Sequence, residues 1–164
     1  MNAKLAVSAV LAAAAVTLTS VADASLEAAK QRVAITMKGL PNGTFVLTPL
    51  KAGALKRDSG TVSVVSGNSR VVVRDGQKVE IFAGGIFTFK GKRGSLTIRE
   101  RTEWVDIANE NAPGFSFPPA VATGSWKVVR GTGTYAEIAG GGRSGHAGLG
   151  AEWYARQEGF LTLP

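Results

Sequence analysis

The sequence predicts an all-β fold, a single antiparallel eight-stranded barrel, and three observations carry that expectation. Short runs of branched and aromatic residues recur along the chain, separated by glycine, proline and asparagine. No ten-residue helical pattern repeats between those runs, which disfavours alternating βαβ units and a parallel sheet. Most links are short enough for sequential strands to pair in order, and closure into a barrel removes the exposed edges that would otherwise aggregate. A Greek-key sandwich is the other arrangement compatible with the same runs, because connection lengths do not fix strand order.

The elements follow in sequence. Residues 25–32 are the one helix-compatible stretch, a frayed start rather than a packed helix. A strand is expected over 33–38, then a turn at Leu40-Pro41-Asn42-Gly43 and a second strand over 44–49. Residues 51–60 read as a polar loop whose last turn is Asp58-Ser59-Gly60. Segments 61–65 and 70–74 are expected to form a hairpin around Ser66-Gly67-Asn68-Ser69, and Asp75-Gly76 then turns the chain into 78–82. Segments 87–90 and 95–107 flank Gly91-Lys92-Arg93-Gly94, another hairpin signature. The longest interruption spans 109–123 and holds Phe115 and Phe117 among Pro113, Gly114, Pro118 and Pro119. A strand over 125–130 and a last long run over 142–161 complete eight or nine strands.

The beginning of the chain reads as a secretory signal. Lys4 is followed by an apolar run over 5–16, broken only by Ser8, and a membrane-spanning helix needs about 20 such residues. Ala22-Asp23-Ala24 offers the small residues of a cleavage site, so 1–24 is expected to be a signal peptide and 25–164 one barrel domain, secreted and without a membrane anchor. The chain has no cysteine, which excludes a disulfide framework, a thiolate nucleophile and a thiolate metal site. The formal net charge is +7, with lysine and arginine scattered along the sequence. A nucleic-acid interface would show a basic stripe interleaved with stacking aromatics, so nucleic acid is not an expected partner.

The most distinctive passage is 124–143, Gly-Ser-Trp-Lys-Val-Val-Arg-Gly-Thr-Gly-Thr-Tyr-Ala-Glu-Ile-Ala-Gly-Gly-Gly-Arg. It reads as strand, glycine turn, one short helical turn near 134–138, glycine turn, strand. Tyr135, Ala136 and Ile138 are placed to form a plug under the barrel end. This segment resembles the Gly-Thr-Gly, aromatic, alanine, glycine-rich segment of the allene oxide cyclase-like and dirigent-like barrel group. What the resemblance implies is an eight-stranded barrel with a cavity, no metal, no organic cofactor, and frequent homo-oligomers. The group's catalytic side chains find no residue-by-residue match on the other strands, so no activity carries over.

Several residues invite a chemical reading. Alternation over the strand near Glu100 puts Leu96, Ile98, Glu100, Thr102 and Trp104 on one face and Thr97, Arg99, Arg101 and Glu103 on the other. The first face is the more apolar, so Glu100 is expected to point inward, where a carboxylate can serve as a catalytic acid or base. The plainer alternative is an ion pair with an arginine of the next strand. Trp104, Trp126, Tyr135 and Trp153 are candidates to line a pocket for an apolar ligand, although such aromatics also form ordinary core. Phe115 and Phe117 are candidates for ligand contact from the long loop.

His146 is the sole histidine and sits in a glycine-rich stretch, so it is expected at the surface or in a loop. Without a second histidine or a cysteine there is no zinc site of familiar type. Residues 140–145 match Gly-x-Gly-x-x-Gly, yet no βαβ unit surrounds them. Asn42-Gly43-Thr44 fits a glycosylation acceptor but is already explained by a turn, and Asp106, Asn109, Glu110 and Asn111 fit no calcium-loop spacing. Three function classes follow: a module that binds a small apolar ligand, a cofactor-free cyclase or isomerase using Glu100, and a structural extracellular protein with a filled barrel. An inward Glu100 that meets a second polar side chain favours the enzyme, an open apolar pocket favours binding, and a solid interior favours the structural class.

Overall fold

The computed structural model describes residues 29–106, 119–149 and 152–164. The signal-peptide reading of 1–24 and the candidate ligand contacts Phe115 and Phe117 lie outside the described residues. Nine strands are present: β1 Lys30–Lys38, β2 Asn42–Pro49, β3 Asp58–Val65, β4 Asn68–Arg74, β5 Gln77–Gly91, β6 Gly94–Asp106, β7 Ala120–Gly131, β8 Ala139–Leu149 and β9 Glu152–Thr162. The chain is all-β, as the sequence predicts, with a single 3-10 turn at Gly133–Tyr135 and no other helix among the described residues.

The sheet order is β3-β2-β1-β9-β8-β7-β6-β5, and β3 also pairs with β5, so eight antiparallel strands close into a barrel. β4 is the extra strand and pairs with β5 alone. The hairpin expected between 61–65 and 70–74 does not form. β3 pairs with the carboxyl-terminal part of β5, Val65 opposite Ile86, and β4 with its amino-terminal part, Asn68 opposite Ala83. Both run antiparallel to the same strand, so together they form one line broken at Ser66-Gly67. The cause is the length of β5, which spans the separate runs read at 78–82 and 87–90 without a break in pairing to β6 beyond a bulge at Ala83/Gly85.

The turn after β4 forms where the sequence places it. Asp75 and Gly76 have φ of 51° and 77°, the paired positive values of a tight hairpin turn, which aspartate tolerates and glycine adopts freely. The last run at 142–161 is two strands rather than one, with Gly142, Gly145 and Gly148 in β8 and Gly159 in β9. Residues 30–32, read as helix-compatible, extend β1, and 120–123, read as loop, begin β7. In each case pairing to a neighbouring strand overrides weak local preference.

Alternation sorts the side chains. Val33, Ile35 and Met37 of β1, Phe45 and Leu47 of β2, Val62 of β3, Phe87 and Phe89 of β5, Leu96 and Ile98 of β6, and Leu161 of β9 make one buried core. Tyr135 and Ile138 close the end of the barrel at which the chain links β7 to β8, as expected of the plug, whereas Ala136 is exposed. Asp58, read as part of a surface turn, is buried at that end as the first residue of β3. Its carboxylate accepts hydrogen bonds from the Tyr135 hydroxyl at 2.9 Å and from the backbone N–H groups of Lys92 and Arg93 at 3.0 and 3.2 Å. Gln31 fastens the β2–β3 loop across the same end, accepting from Leu55 N–H at 2.9 Å and donating to the Lys51 carbonyl at 3.0 Å. One end of the barrel is therefore closed by polar ties as well as by packing.

Candidate functional site

Among the described residues the opposite end is open. Here β5 runs on past the end of β3 at Val65, β4 takes over as its partner, and the amino-terminal part of β5 stays paired with the carboxyl-terminal part of β6. A cavity of about 560 Å³ lies within this end. Its walls include Val64, Phe82, Phe87, Trp104 and Trp153, with Leu40 and Pro41 at the β1–β2 turn.

The aromatic wall is ordered by contacts among its own members. Trp104 packs edge-to-face on Trp153 with ring centroids 5.0 Å apart, and Phe82 approaches Trp104 at 6.3 Å. Trp104 Nε1 donates to Thr102 Oγ1 at 2.9 Å, which satisfies the indole N–H and fixes the ring. Gly148 leaves the space that Trp153 occupies: a Cβ there would lie 2.7 Å from the indole.

A polar pair is set into the cavity wall. Glu100 points inward, as the alternation of β6 predicts, and is only 3 % exposed. Its partner is not an arginine. His146 Nε2 lies 2.9 Å from Glu100 Oε1, and Gln157 Nε2 donates to Glu100 Oε2 at 3.3 Å. His146 is thus neither in a loop nor at the surface, being 7 % exposed on the inward face of β8. Its ring packs 5.4 Å from Trp104 and 6.2 Å from Phe87. Gly145 and Gly148 beside it made the segment look like a loop, yet every residue from Ala139 to Leu149 is paired with β9. The signal that could have found it is the inward alternation of Gly142, Ser144, His146 and Gly148.

With Glu100 as a carboxylate, the imidazole donates from Nε2, and Nδ1 becomes the acceptor of the neutral ring. A histidine held this way can take up or deliver a proton at Nδ1 while the carboxylate fixes its tautomer. Ser144 and Gln157 complete a buried polar layer, and their Oγ and Oε1 atoms have no hydrogen-bond partner among the described residues. No group of three or more metal-ligating side chains is gathered among the described residues.

The sequence-predicted candidates divide by depth. Glu100, Trp104 and Trp153 line the cavity. Trp126 belongs to the packed core instead, and its Nε1 donates to the Arg143 carbonyl at 3.1 Å. Its neighbours in register on β8 and β9 are Gly142 and Gly159, where a Cβ would collide with the backbone of the paired strand. Tyr135 lies at the closed end, tied to Asp58. Burial first, and then the hydrogen bond to Asp58, push its hydroxyl well above the ordinary tyrosine range. Compared with known proteins, the chain matches no family model, no curated protein and no solved structure.

Proposed function

We propose that this chain is an exported β-barrel protein that holds a small, largely apolar ligand in the open end of its barrel. The observation that carries the reading is the cavity of about 560 Å³ walled by Phe82, Phe87, Trp104 and Trp153. That volume falls in the range of small-molecule sites, about 300–1,000 Å³. A filled, purely structural barrel would have no such space. Export rests on the signal-peptide features of 1–24, and the resemblance of 124–143 to allene oxide cyclase-like barrels fits a cavity-bearing protein.

A second reading has its own support. The contact between Glu100 and His146 in the cavity wall is an acid–base pair facing an apolar space, the arrangement a cofactor-free isomerase or cyclase needs for proton transfer. On that reading His146 is the proton-transfer group and Glu100 sets its tautomer.

Native mass spectrometry of the protein recovered from the culture medium, followed by denaturing extraction, tests the first reading. A near-stoichiometric adduct and a chain beginning at Ser25 are expected. A bare mass from protein that has met its native growth medium would overturn the ligand reading, and a chain beginning at Met1 would overturn export. Incubation of the extracted molecule with protein in deuterated water separates binding from catalysis. Deuterium uptake that is lost in Glu100→Gln and His146→Phe supports the enzyme, and no uptake removes it.

A further inference from the structure

The cavity is acidic in a protein that is basic. Among the described residues its lining holds Glu80, Glu100 and Asp106, one imidazole from His146, and no lysine or arginine. The lining therefore carries a formal charge of −3 with His146 neutral and −2 with it protonated, against +7 for the whole chain. The segregation follows from register. Glu80 lies directly across from Trp104, and Asp106 stands two residues beyond Trp104 on the same inward face of β6. The nearby arginines take the other parity. Arg74 and Arg101 pair with Glu103 on the outer face at 2.7 and 3.2 Å, and Arg70 lies opposite Ile81. Lys78 shares the parity of Glu80 but stands nearer the hairpin tip and does not line the cavity.

Carboxylates placed around edge-to-face aromatic rings form a specific kind of site. The faces of indole and phenyl rings attract cations through their quadrupole, and more strongly where water is excluded. Glu80 and Asp106 flank the Trp104 indole, with Trp153, Phe82 and Phe87 around it. Glu100 is already engaged by His146 and Gln157, but Glu80 and Asp106 would repel an organic anion and would give an apolar neutral ligand no charge complement. The three acids are not gathered as metal ligands.

We infer that the cavity selects an apolar organic cation, a quaternary or protonated ammonium borne on an aliphatic or ring-bearing body. This rests on the ligand-binding reading above and names the chemical class of its ligand. The ammonium sits against Trp104 between Glu80 and Asp106, and the apolar body lies along Phe87 and Trp153 towards Glu100 and His146.

Two probes of one shape, (4-hydroxyphenyl)trimethylammonium and its neutral carbon isostere 4-tert-butylphenol, and an anion on the same phenol, 4-hydroxybenzoate, test it by isothermal titration calorimetry. The cation is expected to bind about tenfold more tightly than the isostere, with the anion weakest. The double variant Glu80→Gln/Asp106→Asn should lower the cation-to-isostere ratio severalfold, to the part that the ring faces supply alone. Both positions lie at the mouth, where neither side chain is buried, and circular dichroism checks that the barrel is kept. Equal or tighter binding of 4-tert-butylphenol by the wild-type protein overturns the cation inference and leaves the ligand-binding reading standing. Binding of none of the three probes overturns both. A ratio that persists in the double variant overturns the assignment to Glu80 and Asp106.

Discussion

Glu100 and His146, on strands separated by β7, meet inside the barrel at 2.9 Å with both side chains sealed from solvent. On β7, between the two strands that carry the pair, Gly124 lies in register with Thr102 on one side and Ser144 on the other. A Cβ at Gly124 would lie 2.8 Å from Thr102 Cγ2 and 2.9 Å from Ser144 Oγ.

The two sides of that contact should respond unequally to substitution. His146→Ala leaves a buried carboxylate with Gln157 as its remaining side-chain partner, and removing one member of a buried pair costs about 3–5 kcal/mol. Glu100→Gln keeps an acceptor oxygen for the imidazole and removes the charge, so its cost should be about 1 kcal/mol. Urea denaturation of the two variants reads the difference. Equal losses, or a His146→Ala loss no greater than that of the exposed Thr36→Ala, would show that the pair is not coupled.

The closed end should give the protein a distinct acid response. Burial alone would raise the Asp58 carboxyl, but hydrogen bonds from Tyr135 and from the N–H groups of Ser59, Arg93 and Lys92 outweigh it, and the group lies below the ordinary aspartate range. A carboxylate lowered on folding stabilises the folded state above its unfolded value, about 3.9, and that contribution fades as pH falls through the folded value. Asp58→Asn should therefore be less stable than wild type by a constant margin above about pH 5, and the margin should narrow below about pH 4. Thermal melts from pH 7 to pH 2.5 measure it, and a margin that stays level throughout would remove Asp58 from the acid transition.

Tyr135 has the opposite sign at the other end of the scale. Its hydroxyl is raised on folding, so its contribution is complete below the unfolded value, about 10, and is lost as pH rises beyond it. Tyr135→Phe should cost about 2 kcal/mol at neutral pH, where a hydrogen bond to a carboxylate is lost. Relative to wild type, the variant should regain part of that loss above about pH 10. Alkaline melts that stay parallel would sink this account.

The legible parts of the fold were those fixed by local pattern. The apolar alternation of β6 placed Glu100 inward, Asp75-Gly76 marked its turn, and Tyr135 with Ile138 marked the plug. What escaped depends on partners distant in sequence. His146 looked like a loop residue because its glycine neighbours suppress strand preference, and only pairing with β7 and β9 makes that stretch a strand. Trp126 looked like a pocket residue because nothing near it in sequence shows that it packs in the core and donates to the Arg143 carbonyl of β8, 17 residues away. Asp58 looked like a turn because its acceptors are filled from 34, 35 and 77 residues away. The acidic lining was hidden because Glu80 and Asp106 come together only through the register of β5 with β6.

Gly148 and Gly145, three residues apart on β8, offer a test of how the cavity wall is shaped. A Cβ at Gly148 would meet Trp153 at 2.7 to 2.9 Å, whereas a Cβ at Gly145 has no neighbour within 4 Å. Gly148→Ala should displace the Trp153 ring from its edge-to-face contact with Trp104 and cost about 1–3 kcal/mol, the usual range for overpacking. Gly145→Ala adds the same methyl into open space and should leave stability within about 0.5 kcal/mol of wild type. Near-ultraviolet circular dichroism reports the coupled indoles directly. A changed tryptophan band in Gly148→Ala, with Gly145→Ala matching wild type, is the expected result. An unchanged band in both would mean that Trp153 is not held by the space at Gly148, and the wall that defines the cavity would need another support.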